Sequence, residues 1–325
     1  MHGFVEPFLR QLFLSSPLFL MVLLGYGLVR WAKWPKAMSD SLTRFVFSMA
    51  LPAMLFRMMS DFSNLPPVDA RLLIAFFGSC LIVFIIGRMT AAWIFRLDGS
   101  SASIFALGGI FSNLVMLGLP IARITLGEKA IPSIALIIVF NSLTLWTLVS
   151  VSIEWARSGS FTVKGFVKTA RNVATNPIVA SIITGTVFGL TGLPIPYVID
   201  APLSMLGQTA VPMSLLVLGM GLAEYPVGKG WRQSLSICSL KLAVQPFIIW
   251  LLAGMLGLPP LETQAAVLVG SMATGANVYL MARHFQVMEG PTASALVLST
   301  ILSAFTTPLV LVLIGADISS GSGLI

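Results

Sequence analysis

The chain has 325 residues, of which 19 are Lys or Arg and 12 Asp or Glu, so charged residues make up 10% of it; an ordinary soluble domain has roughly 25%. Hydrophobic residues account for 57% and the mean hydropathy is +0.95, a balance from which no soluble surface can be built. Ten crossings of about 20 apolar residues each would use about 200 residues and leave about 125 for termini and connections, with no block large enough for a catalytic head, a nucleotide-binding domain or an ectodomain.

Apolar runs between charged or Pro/Gly-rich breaks predict ten membrane helices, over residues 12–32, 42–59, 72–95, 103–124, 131–153, 176–193, 201–222, 235–256, 263–282 and 292–314. The first run is long, contains Pro17 and leads into Arg30, Lys33 and Lys36 without a small-residue cleavage pattern, so it reads as a span and not as a cleaved signal peptide. Numbering the ends, 14 of the 19 basic residues fall on one side: Arg30, Lys33, Lys36, Arg44, Arg88, Arg96, Arg157, Lys164, Lys168, Arg171, Lys229, Arg232, Lys241 and Arg283. Arg10, Arg57, Arg71, Arg123 and Lys129 lie on the other. The positive-inside rule then places both termini outside the cytoplasm and the basic connection 154–175 inside, against anionic lipid headgroups. In a soluble protein the net charge of +7 would suggest nucleic acid; at helix ends it orients a membrane protein, and no nucleic-acid partner is expected.

Chemistry-bearing motifs are few. No Gly-x-x-x-x-Gly-Lys-Ser/Thr loop and no Gly-x-Gly-x-x-Gly after a strand is present, so ATP-driven work by this chain alone is not expected. His2 and His284 are too few and too distant for a metal site, and Cys80 and Cys238 sit in apolar runs as reduced thiols. Neither cofactor nor metal is expected. With no buried acid pair and no nucleophile–base set in view, an enzyme is not expected either.

One displacement repeats. Pro17 and Gly25 recur as Pro177 and Gly185, and Pro52 recurs as Pro212, each 160 residues later; Asn113 of the fourth run has Asn277 of the ninth, 164 residues later. Proline and glycine are common in membrane helices, so chance coincidence is the bland alternative. Taken as a repeat, five spans followed by five more start on opposite sides of the membrane. The halves 1–153 and 176–325, joined by the linker 154–175, are then inverted copies, an arrangement found in many secondary transporters.

The candidate site follows from where a membrane helix can afford a break, namely in a protein-lined or wet cavity. The fourth run, "GGIFSNLVMLGLPIARITLG", gathers Gly108, Gly109, Asn113, Gly118 and Pro120, and Pro120 removes a helical donor. The ninth, "GSMATGANVYLMARHF", gathers Gly270, Thr274, Gly275 and Asn277. Both are expected to be discontinuous and to cross, with half-helix N-termini facing a carboxylate. The alternative for the two asparagines is interhelical hydrogen bonding. Asn141, alone in the fifth run, reads as a helix-packing residue. No acid falls in the middle of a run, whereas Arg57, Arg88 and Arg123 lie within or at the ends of spans, where snorkelling competes with function. Lys241 is deeper, about 9 Å from its helix end. A cationic lining without buried acids favours an anion. The candidate substrate-binding set is Asn113, Gly118, Pro120, Thr274, Gly275, Asn277 and Lys241.

The order of "LLGYGLVRWAKWP", "FVFSMALPAMLF", "SNLVMLGLPIARITLGEKA", "NPIVASIITGTVFGL", "QTAVPMSLLVLGMGL", "LKLAVQP" and "GANVYLMARHF" resembles the auxin efflux carrier family over essentially the whole chain, particularly its bacterial malonate-carrier-like branch. The resemblance implies an all-α polytopic fold of ten helices in two inverted five-helix repeats, with spans 1, 2, 6 and 7 as a scaffold and 3–5 with 8–10 as a moving unit. It also implies an organic-anion site at the crossing of spans 4 and 9, onto which Asn113 and Pro120 map. Two departures stand out: the ninth span has Ala273, Gly275 and Val278 where many relatives carry a proline, and the long hydrophilic loop of several plant members is missing. The expectation is a secondary carrier for malonate-like mono- or dicarboxylates in a bacterial inner membrane, working by an elevator motion. A carboxylate-binding membrane sensor without transport is the alternative. Lipids and the anion are the expected partners, and a homodimer stays open.

Overall fold

The computed structural model describes residues 2–61, 69–158, 177–225 and 230–315. Most of the linker 154–175, with Lys164, Lys168 and Arg171, lies outside the described residues, as does Lys229. Everything described is helix or short connection, with one isolated antiparallel bridge. We label the helices in chain order: α1 His2–Arg30, α2 Lys36–Ser60, α3 Arg71–Trp93, α4 Gly99–Gly108, α5 Leu114–Thr125, α6 Ile131–Ser158, α7 Pro177–Gly189, α8 Tyr197–Leu222, α9 Trp231–Leu256, α10 Pro260–Gly270, α11 Ala276–Phe285 and α12 Glu289–Leu313. Six stretches among the described residues are long and apolar enough to cross a membrane: α2, α3, the segment Glu128–Ile153 within and ahead of α6, α8, α9 and α12. Three shorter apolar helices, Ser16–Arg30 within α1, α5 and α7, accompany them. The chain is an integral membrane protein.

The helices extend beyond the apolar runs at most ends, because single charged residues such as Glu6, Arg10, Asp200 and Glu289 interrupt the hydropathy without ending the helix. Thus α1, α8 and α12 begin ten, four and three residues before the runs expected at 12, 201 and 292. The sixth span is shorter than expected, stopping at Gly189 and not at 193. Gly192 has φ +68° just ahead of Pro194, a geometry no helix continues through.

Three helices carry a wide, π-type turn: Val46–Ala50 in α2, Leu114–Gly118 in α5 and Leu240–Val244 in α9. Each ends two residues before a proline, Pro52, Pro120 or Pro246. Proline has no N–H to donate and its ring crowds the carbonyl four residues back; widening the turn before it relieves the clash without breaking the helix.

Packing follows the glycines. A Cβ on Gly25 of α1 would lie 1.9 Å from the Leu216 carbonyl oxygen of α8, and one on Gly185 of α7 would lie 2.6 Å from the Phe56 carbonyl oxygen of α2. Only glycine permits these backbone approaches, the means by which membrane helices gain van der Waals contact. The two glycines singled out by the 160-residue displacement therefore do the same job on different partners. Large apolar side chains such as Phe13, Leu190, Val198, Met255 and Leu313 point outward, and Trp31, Trp93, Trp155 and Trp231 are exposed at helix ends, as lipid tails and headgroup layers require.

Candidate functional site: a crossing of two broken helices

The fourth and ninth runs are both interrupted. Helix α4 ends at Gly108 and α5 starts at Leu114; α10 ends at Gly270 and α11 starts at Ala276. Backbone groups freed inside a membrane must find partners, and here the two interruptions serve each other. Ser112 and Thr274 form an antiparallel bridge, in which the Asn113 N–H donates to the Ala273 carbonyl at 2.8 Å and the Gly275 N–H to the Phe111 carbonyl at 2.8 Å. Thr274 completes the joint: its N–H donates to Ser299 Oγ at 3.0 Å and its hydroxyl to the Gly108 carbonyl at 3.2 Å.

The crossing separates charge. Four half-helices meet there, two by their N-terminal ends (α5 and α11) and two by their C-terminal ends (α4 and α10). The N-terminal, partially positive ends open on a cavity of about 110 Å³ whose wall includes Phe47 of α2, Ser112 and Asn113, Asn141 of α6, and Gly275 to Asn277. Asn113 Oδ1 caps α5 by accepting the Met116 N–H at 3.3 Å, whereas α11 has no side-chain cap. The C-terminal ends converge on Lys241, which is fully buried. Its Nζ donates to the carbonyl of Gly270, the last residue of α10, and to Gln245 Oε1 at 2.5 Å. Gln245 Nε2 in turn donates to the Ile110 carbonyl just beyond α4, at 3.1 Å. The ammonium thus serves the α10 end directly, and the Gln245 amide it orients serves the α4 end.

Among the sequence-derived candidates, Asn113, Gly275 and Asn277 line the small cavity together. Thr274 is buried in the joint behind it. Gly118 and Pro120 are buried in α5, where a Cβ on Gly118 would come within 3.3 Å of Met272 Cγ, so they shape the crossing from one turn away. Lys241 does not line the cavity, being turned to the carbonyl ends. Asn141, read from sequence as packing, does line it, and so does Ser112. The signal was a single amide in the middle of an apolar run; what it faces depends on helices far along the chain.

A second, larger cavity of about 670 Å³ opens beside the far end of α5 and holds Arg57, Asp61, Arg123, Glu128, Asp200 and Gln208. Its cations are paired: Arg57 Nε with Asp200 at 2.6 Å, and Arg123 with Glu128 at 3.0 Å. Arg88 is tied to the hydroxyls of Ser103 and Ser152. Among the described residues no cluster of His, Cys, Asp or Glu could hold a metal ion.

A family model described as "Membrane transport protein" matches residues 15–311. A protein of Rhizobium meliloti (strain 1021) named "Putative malonate transporter" is 26% identical over 304 residues, covering 93% of this chain and 95% of its own length. With nearly the whole chain matched by the family model and the broken-helix crossing in place, the chain belongs to this membrane transport protein family, the auxin efflux carriers.

Proposed function

We propose that the protein is a secondary carrier of small organic anions, malonate-like mono- or dicarboxylates, and that it binds them in the cavity between the N-terminal ends of α5 and α11. The observation that carries this reading is the crossing itself. Two helix N-termini and the amides of Asn113 and Asn277 border one cavity, which suits a carboxylate by dipole and by hydrogen bonding. At about 110 Å³ the cavity is below the roughly 300–1,000 Å³ of drug-sized ligand sites, which favours a compact acid. The name of the Rhizobium relative points the same way.

In this reading Asn113, Gly275 and Asn277 contact the anion, and Thr274, Gly118 and Pro120 hold the broken ends in place. Lys241 acts from behind, neutralising the carbonyl ends so that the crossing survives in the membrane. Spans 1, 2, 6 and 7 are the scaffold, and the remaining spans carry the site across it as an elevator. The glycine contacts Gly25–Leu216 and Gly185–Phe56 support that division, since they join scaffold helices backbone to backbone. The bacterial inner membrane, with both termini periplasmic, agrees with the basic-residue count. Counterflow in proteoliposomes tests the function: preloaded malonate should drive transient accumulation of labelled malonate, and binding without counterflow would leave a sensor.

A further inference from the structure

Helix α2 reaches the small cavity through Phe47, and the turn before Phe47 carries an exposed cation, Arg44. It lies eight residues beyond Lys36, about 12 Å along the helix. Arg57, Arg88, Arg123 and Lys241 all have side-chain partners. The Arg44 guanidinium has neither an ion pair nor a hydrogen bond among the described residues. An unpaired cation at that depth belongs where water reaches it. The rest of the helix face agrees: Lys36, Asp40, Arg44 and Ser48 recur every four residues and all are exposed, a polar stripe that rises from the first turn to the level of the cavity. Met38 and Met49, also exposed, lie across the helix from that stripe and form its apolar side.

The stripe runs beside a passage whose two ends are fixed. At the far end Lys36 Nζ meets Glu224 Oε2 at 2.7 Å, just beyond α8. The neighbouring Tyr225 ring packs edge-on against Tyr279 of α11, with centroids 4.9 Å apart, and the Arg283 guanidinium lies over Tyr279 at 6.0 Å. At the near end α2 and α11 give Phe47, Ala276 and Asn277 to the cavity wall. Long helical side chains lean back over the preceding turn, so the Phe47 ring covers the turn of Arg44 and the guanidinium sits at the mouth, outside the wall. Asp40 is the opposing charge, one turn farther from the cavity, and Lys36 is neutralised by Glu224. We propose that Arg44 sorts anions by charge: from the scaffold side of the mouth it draws the substrate to the crossing and favours a dicarboxylate dianion over a monoanion. This rests on the carrier reading above and adds the charge selectivity of its site. The two helix N-termini together amount to about one positive charge, so the second charge of a dianion falls to Arg44. An attraction through water scales with the charge of the ligand, which a single hydrogen bond does not.

Equilibrium binding to the purified full chain in detergent tests this with two probes: malonate above both ionisations of malonic acid, a dianion, and monomethyl malonate, a monoanion. At low salt Arg44→Gln should weaken binding of the ester about threefold and of malonate about tenfold, the square of the smaller effect. Both losses should vanish towards about 1 M salt, where the Debye length falls to about 3 Å. Arg44→Lys, which keeps the charge, should bind both probes as the wild type does. Asp40→Asn should act in the opposite sense, raising malonate affinity about two- to threefold and ester affinity less. Unchanged affinities in Arg44→Gln overturn the inference, since the guanidinium then serves only the lipid headgroups, and equal losses for the two probes overturn it as well. Should Arg44→Gln fail to fold, Asp40→Asn decides, and no gain for malonate overturns the inference. If the wild type binds neither probe, the carrier reading fails and this inference with it.

Discussion

The two broken spans reach the same shape by different means. In the fourth, Asn113 caps α5, a wide turn follows, and Pro120 enforces it. In the ninth, Gly275, extended (φ −75°, ψ 148°), leads into α11 with neither a side-chain cap nor a proline. Yet each span is interrupted over five residues, Gly109 to Asn113 and Ser271 to Gly275. A proline is therefore not what holds the ninth span open. The bridge between Ser112 and Thr274 and the carbonyl ends held by Lys241 and Gln245 tie both spans at once, so the weaker break depends on the stronger one.

That dependence can be broken. The largest effect is expected from Lys241→Met, which removes two hydrogen bonds from a charged donor, each contributing about 1.5–3 kcal/mol. Unfolding of the purified chain should show a loss of about 3 kcal/mol, while anion affinity of the protein that survives changes less than threefold. A large affinity loss at unchanged stability would return Lys241 to the cavity. Next comes Gly275→Val, whose Cβ would lie 3.1 Å from both Phe111 Cδ1 and the Ser112 carbonyl oxygen. Overpacking of this kind costs about 1–3 kcal/mol. It should destabilise more than Gly221→Val, since a Cβ on Gly221 meets nothing within 4 Å.

The interruptions were legible in the sequence because Gly, Asn and Pro cluster in otherwise apolar runs, and the run lengths located most spans to within a few residues. The partners were not legible. Lys241 bonds to Gly270, 29 residues away, and Gln245 to Ile110, 135 residues away; depth along a helix does not say which way a side chain turns. Asn141 looked solitary for the same reason, since the cavity it borders is made by residues near positions 47, 112 and 276. The two-residue bridge at the crossing has no local signature, for it exists only when both breaks meet.

Smaller effects sharpen the contrast between capped and uncapped starts. Asn113→Ala removes the cap of α5 and should cost about 1 kcal/mol of stability, whereas Asn277→Ala, within an uncapped start, should cost less. Asp98, outside the broken region, accepts from the N–H groups of Ser100 at 2.9 Å and Ser101 at 3.1 Å and from the Ser101 hydroxyl at 2.6 Å. The Ser101 hydroxyl, then the backbone donors, hold its carboxyl below the usual carboxylate range. Its stabilisation is therefore complete above the unfolded-state pKa and is lost as pH falls through the lower folded-state value. Asp98→Ala should cost about 1 kcal/mol near neutral pH and progressively less on acidification, with anion affinity unchanged.

The central claim is that the cavity at the crossing binds the transported anion. Malonate affinity of Asn113→Ala and Asn277→Ala, compared with wild type at a pH where binding is strongest and on samples that unfold cooperatively, tests it most directly. Each replacement should weaken binding about ten- to hundredfold, the loss of one hydrogen bond to a charged group. Wild-type affinity in both variants would contradict it and move the site away from the crossing.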